Sequence, residues 1–143
     1  MNSANTEYLL DTYAWVEYFI GSEEGQIVRE LVESEKISTS IICIAELSNK
    51  YYRESLLEEW KDRYKFIISK SNIIHLIMEI VKEAGPRKWK LRENSDDVGL
   101  ADAIIIETAI QGGFTVVSGD PYFKDIENCL FLKRDVNSPP DSN

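Results

Sequence analysis

Short apolar runs alternate with longer stretches of helical periodicity along nearly the whole of this chain. That alternation narrows the fold more than any other feature. β-type runs fall at residues 8–10, 36–39, 72–76, 115–117 and 129–132. Between them the apolar positions recur at helical spacing over residues 12–20, 23–34, 40–53, 56–70, 77–92 and 98–111. Strands that take turns with helices predict an α/β protein, with a central, mostly parallel sheet of four to five strands and helices on both faces. The end signals agree. Gly21 stops the first helix, Glu23 and Glu24 open the second, Ser40 is placed to cap the third, and Gly112-Gly113 closes the last. Gly85-Pro86 is expected to end or kink the helix around it. The stretch at 98–111 is the most apolar helix and is expected to be the most buried.

With 143 residues the chain makes one domain, placed at 1–134, followed by an Asn/Ser/Pro/Asp-rich tail at 135–143 that is expected to be flexible. The first residues lack a basic region and an apolar segment, so no signal peptide is expected. No apolar run is long enough to span a bilayer. Cys43 and Cys129 lie among apolar neighbours, with no nearby Cys or His to share a zinc ion, and read as reduced, buried thiols of a cytoplasmic protein. Lys and Arg number 16 against 25 Asp and Glu, a formal charge of −9. Such a balance argues against a passive nucleic-acid coat or an anionic-membrane binder. It leaves room for an enzyme that meets a polyanion through metal ions.

In parallel sheets, ligands bind beyond the carboxyl ends of the strands. Asp11 follows the apolar run of the first strand, and Asp120 lies just past the fourth. Glu46 sits in the apolar stretch Ile41-Ile42-Cys43-Ile44-Ala45-Glu46-Leu47 that follows the second strand. Asp102 sits in Leu100-Ala101-Asp102-Ala103-Ile104-Ile105-Ile106. Singly, each has a plain structural reading: Asp11 and Asp120 as turn formers or helix caps, Asp102 as a first-turn acid, Glu46 as an exposed helix residue. Together they fall at one predicted sheet edge. Carboxylates in apolar surroundings need compensation, and a divalent cation with all-oxygen ligands, Mg²⁺ or Mn²⁺, would supply it.

On these segments, together with Leu9-Leu10-Asp11-Thr12 and Thr115-Val116-Val117-Ser118-Gly119-Asp120-Pro121-Tyr122-Phe123, the chain resembles the PIN domain, and within it the small ribonuclease toxins of VapC type. The resemblance covers nearly the whole chain in order and spacing. It implies a three-layer α/β/α fold and divalent-metal-dependent RNA cleavage by an acidic quartet, here Asp11, Glu46, Asp102 and Asp120. Asp11 and Asp102 would be the more direct metal ligands, with Glu46 and Asp120 acting directly or through water. Ser118 would orient Asp11, and Thr12 would hold the turn. The resemblance further implies a homodimer, a cognate antitoxin covering the acidic site, and products with a 5′-phosphate and a 3′-hydroxyl. Glu107 departs from the family pattern. It stands about 140° around the helix from Asp102 at 100° per residue and is not expected to be a ligand.

The single histidine, His75, lies among Ile73, Ile74 and Leu76 and is expected to be a packed strand residue. A histidine-pair mechanism is therefore absent, and activation of water by a bound cation fills its place. Positive charge gathers elsewhere. Lys82, Arg87, Lys88, Lys90 and Arg92 are 5 of the 16 cationic residues, within 11 positions. With Trp89 among them, Arg87, Lys88, Lys90 and Arg92 form a candidate RNA-binding stretch, although Trp89 by itself is expected to pack on the core. Asp96 and Asp97 are expected to cap the following helix. Tyr13, Trp15, Tyr18, Phe19, Tyr51 and Tyr52 read as core aromatics or the lining of a partner groove. The competing reading is a PIN-fold scaffold that binds RNA or protein without catalysis. No GxxxxGK[ST] motif is present to support a P-loop enzyme.

Overall fold

Five strands and six helices alternate as expected in a computed structural model that describes residues 5–133. In chain order these are β1 (Glu7–Leu10), α1 (Thr12–Ile20), α2 (Glu23–Ser34), β2 (Lys36–Ser40), α3 (Ile41–Arg53), α4 (Leu57–Lys70), β3 (Asn72–Ile74), α5 (Met78–Leu91), α6 (Leu100–Gly112), β4 (Thr115–Ser118) and β5 (Cys129–Phe131), with a 3₁₀ turn at Pro121–Phe123. The sheet order is β3-β2-β1-β4-β5 and every neighbouring pair is parallel. The sheet is thus wholly rather than mostly parallel. The tail at 135–143 lies outside the described residues. Among the described residues, no helix is long and apolar enough to cross a membrane.

Alternation along the strands divides the core between the two faces. Leu10 and Val117 point to one side and pack with Ala14, Trp15, Val28, Val32, Leu47, Tyr51 and Ile67 from α1, α2, α3 and α4. Leu9 and Val116 point to the other and meet Ile105, Ile106 and Ala109 of α6, with Phe114 and Phe123. Helix α5 lies outside α6 through Ile80, Ala84 and Ile104. The result is the three-layer α/β/α arrangement. Gly25 lets α2 approach α1: a Cβ there would stand 2.0 Å from the Glu17 carbonyl oxygen.

Several local expectations are corrected. Helix α5 runs through Gly85-Pro86 to Leu91, so of the two outcomes expected there, an end or a kink, the end does not occur. Helix α6 begins at Leu100, not at Val98. Its first turn is held by Asp102, which accepts from the Gly99 N–H at 3.1 Å, and not by Asp96 or Asp97. His75 lies just beyond the end of β3 and is exposed, and so is Tyr52. Of the two thiols, only Cys43 is fully buried. Trp89 is 65% exposed and does not pack on the core.

Candidate active site

The parallel register brings the ends of β1 and β4 side by side. Leu10 pairs with Val117, and the Asp11 N–H donates to the Val117 carbonyl at 3.2 Å. Asp11 is therefore set against Ser118, at the centre of the carboxyl edge. Asp120 follows two residues later. Glu46 comes from the second turn of α3, which follows β2 directly, and Asp102 from the first turn of α6. All four line one pocket of about 250 Å³, with Thr12, Tyr13, Val16, Glu17, Lys50 and Ile105. The structure thus brings the whole expected quartet to one place.

Three of the four carboxylates accept a hydrogen bond, and the fourth is positioned through its backbone. Asp11 is only 2% exposed and caps α1 by accepting from the Ala14 N–H at 2.8 Å. Glu46 accepts from the Thr12 hydroxyl at 2.5 Å. The Ser118 hydroxyl accepts from the Asp120 N–H at 3.0 Å and lies beside Asp11. Gly119 passes close under Tyr13, where a Cβ would meet the ring at 2.2 Å, so the turn carrying Asp120 needs a residue without a side chain.

Burial raises the pKa of all four acids, because the charged form loses its hydration. Asp11 is pushed up to about 8: desolvation dominates, Ser118 and the Ala14 N–H oppose it, and Asp120 and Asp102 repel its charge. Asp120 is raised to about 6 by burial and by Asp102 and Glu46, against the pull of Lys133. Glu46 is raised by burial and Asp102, with Thr12 opposing. Asp102 is raised by burial, with the Gly99 N–H and the Tyr122 hydroxyl opposing. The Tyr122 phenol is itself pushed up by burial and by Asp102 and Asp120, and stays a hydrogen-bond donor.

A divalent cation is the obvious relief for four carboxylates that repel one another, and the donor chemistry fits one. Every candidate ligand is a hard oxygen. Among the described residues, Lys50 is the one cation lining the pocket, and it is bonded to Glu54 at 2.6 Å. The geometry is less complete. Among the described residues, no three acidic, His or Cys side chains stand close enough to hold an ion as they are placed. Asp11, Glu46 and Asp102 each accept, through one oxygen, from a donor of the protein itself. A carboxylate has two acceptor oxygens, so each of these side chains can keep its donor and turn the second oxygen to an ion.

The other expected site residues fall outside this pocket. Arg87 is engaged with Glu107, nitrogen to oxygen 2.9 Å, and Gln111 donates to the same carboxylate at 2.7 Å. Trp89 lies between Lys88 and Arg92, whose charged groups stand 5.8 and 5.3 Å from its ring. Lys90 is exposed on the same helix end. The pocket also holds residues that the sequence reading passed over. Glu17 lines it, fixed by the Ser22 hydroxyl at 2.7 Å, and Tyr122 reaches Asp102. The spacing of Tyr13, Val16 and Glu17 along α1 was the available signal for the first. For Tyr122 the signal was its place two residues after Asp120.

Fold and site together define an α/β protein with an acidic pocket at the carboxyl edge of a parallel sheet. The PIN domain profile matches residues 8–128, and the chain belongs to that family. Solved structures of the same fold include VapBC2 from Rickettsia felis bound to a DNA fragment from its promoter. The two are 22% identical, over 88% of this chain and 97% of that one, with a TM-score of 0.70. A toxin–antitoxin complex from Klebsiella pneumoniae is 21% identical over 90% of this chain and 99% of that one, with a TM-score of 0.64. VapC20 from Mycobacterium tuberculosis, a Sarcin-Ricin loop cleaving toxin, is 14% identical over 80% of this chain and 92% of that one, with a TM-score of 0.63. No curated protein matches the chain by sequence.

Proposed function

We infer that this protein is a divalent-metal-dependent endoribonuclease, the toxin of a toxin–antitoxin pair, acting in the cytoplasm. The observation that carries the reading is the convergence of Asp11, Glu46, Asp102 and Asp120 on one pocket, each with its pKa raised. These four would hold Mg²⁺ or Mn²⁺, with Asp11 and Asp102 as the more direct ligands. The cation, when bound, neutralises phosphate charge and makes water a better nucleophile at neutral pH. The protein's own part is placement. Thr12 fixes Glu46, Ser118 fixes the turn to Asp120, and the Ala14 N–H fixes Asp11. Glu46 and Asp120, less buried than Asp11, are placed to take the proton of the attacking water. Water would attack phosphorus in line as the bond from phosphorus to the 3′-oxygen breaks, and the departing 3′-oxygen would take a proton from solvent, leaving a 5′-phosphate and a 3′-hydroxyl.

RNA binding falls to Lys88, Lys90 and Arg92 around the exposed Trp89, which offers a face for stacking. Arg87 is withdrawn from that role by Glu107. A homodimer and an antitoxin partner complete the reading. The antitoxin is suggested by the solved VapBC complexes of the same fold. The scaffold alternative draws on Asp11 and Asp102, both of which also serve as helix caps.

Induced expression in a bacterium separates the two. Growth arrest with RNA fragments bearing 5′-phosphates is expected, and relief of both by Asp102→Glu, which keeps the charge and moves it. Arrest of equal strength in that variant would count for the scaffold.

A further inference from the structure

A second cleft is joined to the acidic pocket by the chain step from Asp120 to Pro121. It is lined by Leu91, Asn94, Ser95, Pro121, Tyr122, Asp125 and Ile126 and has a volume of about 230 Å³. Asp120 lines the acidic pocket while Pro121 and Tyr122, the next two residues, line the cleft. Tyr122 lies beside the Asp102 carboxylate, which lines the acidic pocket. Its ring is braced by Phe123, with ring centres 5.7 Å apart.

The lining states what the cleft can take. Among the described residues it holds no Lys or Arg, so it is not built for a phosphate. Its volume is below the roughly 300 Å³ at which pockets for drug-sized ligands begin. An aromatic ring, a proline and two aliphatic side chains suit a flat apolar body. Asn94, Ser95 and Asp125 supply hydrogen-bonding groups, and the carboxylate of Asp125 is acceptor-only when ionised. Unpaired bases are read by stacking on aromatic rings and by bonds to their edges. Arg92 follows Leu91 on the chain and Lys88 and Trp89 shortly precede it, so the helix end that supplies Leu91 to the cleft also carries positive charge for the backbone of the same strand.

We propose that this cleft receives a single unpaired nucleobase of the RNA, next to the phosphate being cut, and so sets where the chain is cleaved. The inference rests on the nuclease reading for its position relative to the cut. Guanine fits the acceptors best, because its pairing edge presents two neighbouring N–H donors to Asp125.

The test maps cleavage of a randomised single-stranded RNA by the full chain with Mn²⁺, and compares Asp125→Asn and Ile126→Trp. The wild type is expected to prefer guanine at one fixed position relative to the cut. Both variants are expected to lower that preference at least tenfold. Asp125 is exposed, so its isosteric replacement keeps the fold even if the tryptophan does not. A preference that survives both substitutions in folded protein overturns the proposal. A second arm does not need cleavage: guanosine monophosphate is titrated into Asp11→Asn protein and followed by amide chemical shifts. Shifts at Asn94, Tyr122 and Ile126 that disappear in the Asp125→Asn background support the base site, and their absence at millimolar nucleotide overturns it. If the wild type cuts no RNA, the nuclease reading fails by itself, and this arm still decides the cleft.

Discussion

The Thr12 hydroxyl donates to the Glu46 carboxylate at 2.5 Å, across 34 positions of sequence. This bond joins the start of α1, which carries Asp11 at its cap, to the second turn of α3. It ties two separate elements together at the wall of the acidic pocket. Thr12→Val keeps the shape of the side chain and removes the donor. Metal affinity is expected to fall roughly tenfold, the lower end for losing a partner that orients a ligand. Thermal stability is expected to change little, since one net hydrogen bond contributes about 1 kcal/mol. Calorimetric titration with Mn²⁺ checks it, and unchanged affinity would remove Thr12 from the site.

The raised pKa of Asp11 has a consequence for stability. Its folded value of about 8 exceeds its unfolded value of 3.8, so the folded state holds the proton more tightly. Between those values the native protein binds more protons than the unfolded chain, and stability falls as pH rises. The protonated contribution is complete below pH 4 and gone above about pH 8. Asp120, raised to about 6, adds to the lower part of the same window. Metal-free protein should therefore gain Tm from Asp11→Asn, with a gain that grows between pH 5 and pH 8. Mn²⁺ should raise the wild-type Tm more at pH 8 than at pH 5. A Tm difference between variant and wild type that stays flat across that range contradicts the burial of a charged Asp11.

Glu107 is 5% exposed, and Arg87 faces it from the neighbouring helix α5. Removing Arg87 leaves that carboxylate buried with only Gln111. Arg87→Met is expected to cost about 3 kcal/mol, the lower end for breaking a buried ion pair. The double variant Arg87→Met/Glu107→Leu is expected to recover most of that loss, as apolar replacement of a buried pair often does. Urea unfolding of the three proteins measures it. A double variant no more stable than Arg87→Met would show that the pair does more than neutralise itself.

The carboxylate positions were legible in the sequence because each lies where an apolar run ends or is interrupted. Parallel strands translate such positions into one edge. Asp11 after Leu10 and Asp120 after Val117 needed no more than that rule. Helix α5 is legible from its apolar spacing at nearly its full length, and it continues past Pro86 with contacts on both sides of the proline: Ile80 and Ala84 pack with Ile104 before it, and Leu91 packs on the core after it. Trp89 was expected inside because tryptophan is so often buried. Its actual neighbours, Lys88 and Arg92, cover part of the ring from the solvent side instead. The cap of α6 escaped because Asp102 fills two places at once: it faces the acidic pocket and bonds the Gly99 N–H. Nor could local patterns show that β3 stops at Ile74, which leaves His75 outside the sheet and exposed.

The central claim is that the four carboxylates act through a divalent cation on RNA. It is tested most directly by incubating purified protein with a defined single-stranded RNA in Mg²⁺ or Mn²⁺, in EDTA, and with Asp11→Asn or Asp102→Asn. The account predicts cleavage only in the metal-containing wild type, and a loss of at least about a hundredfold in either variant, as when a group that stabilises transition-state charge is removed. Cleavage that survives both chelation and substitution would contradict it.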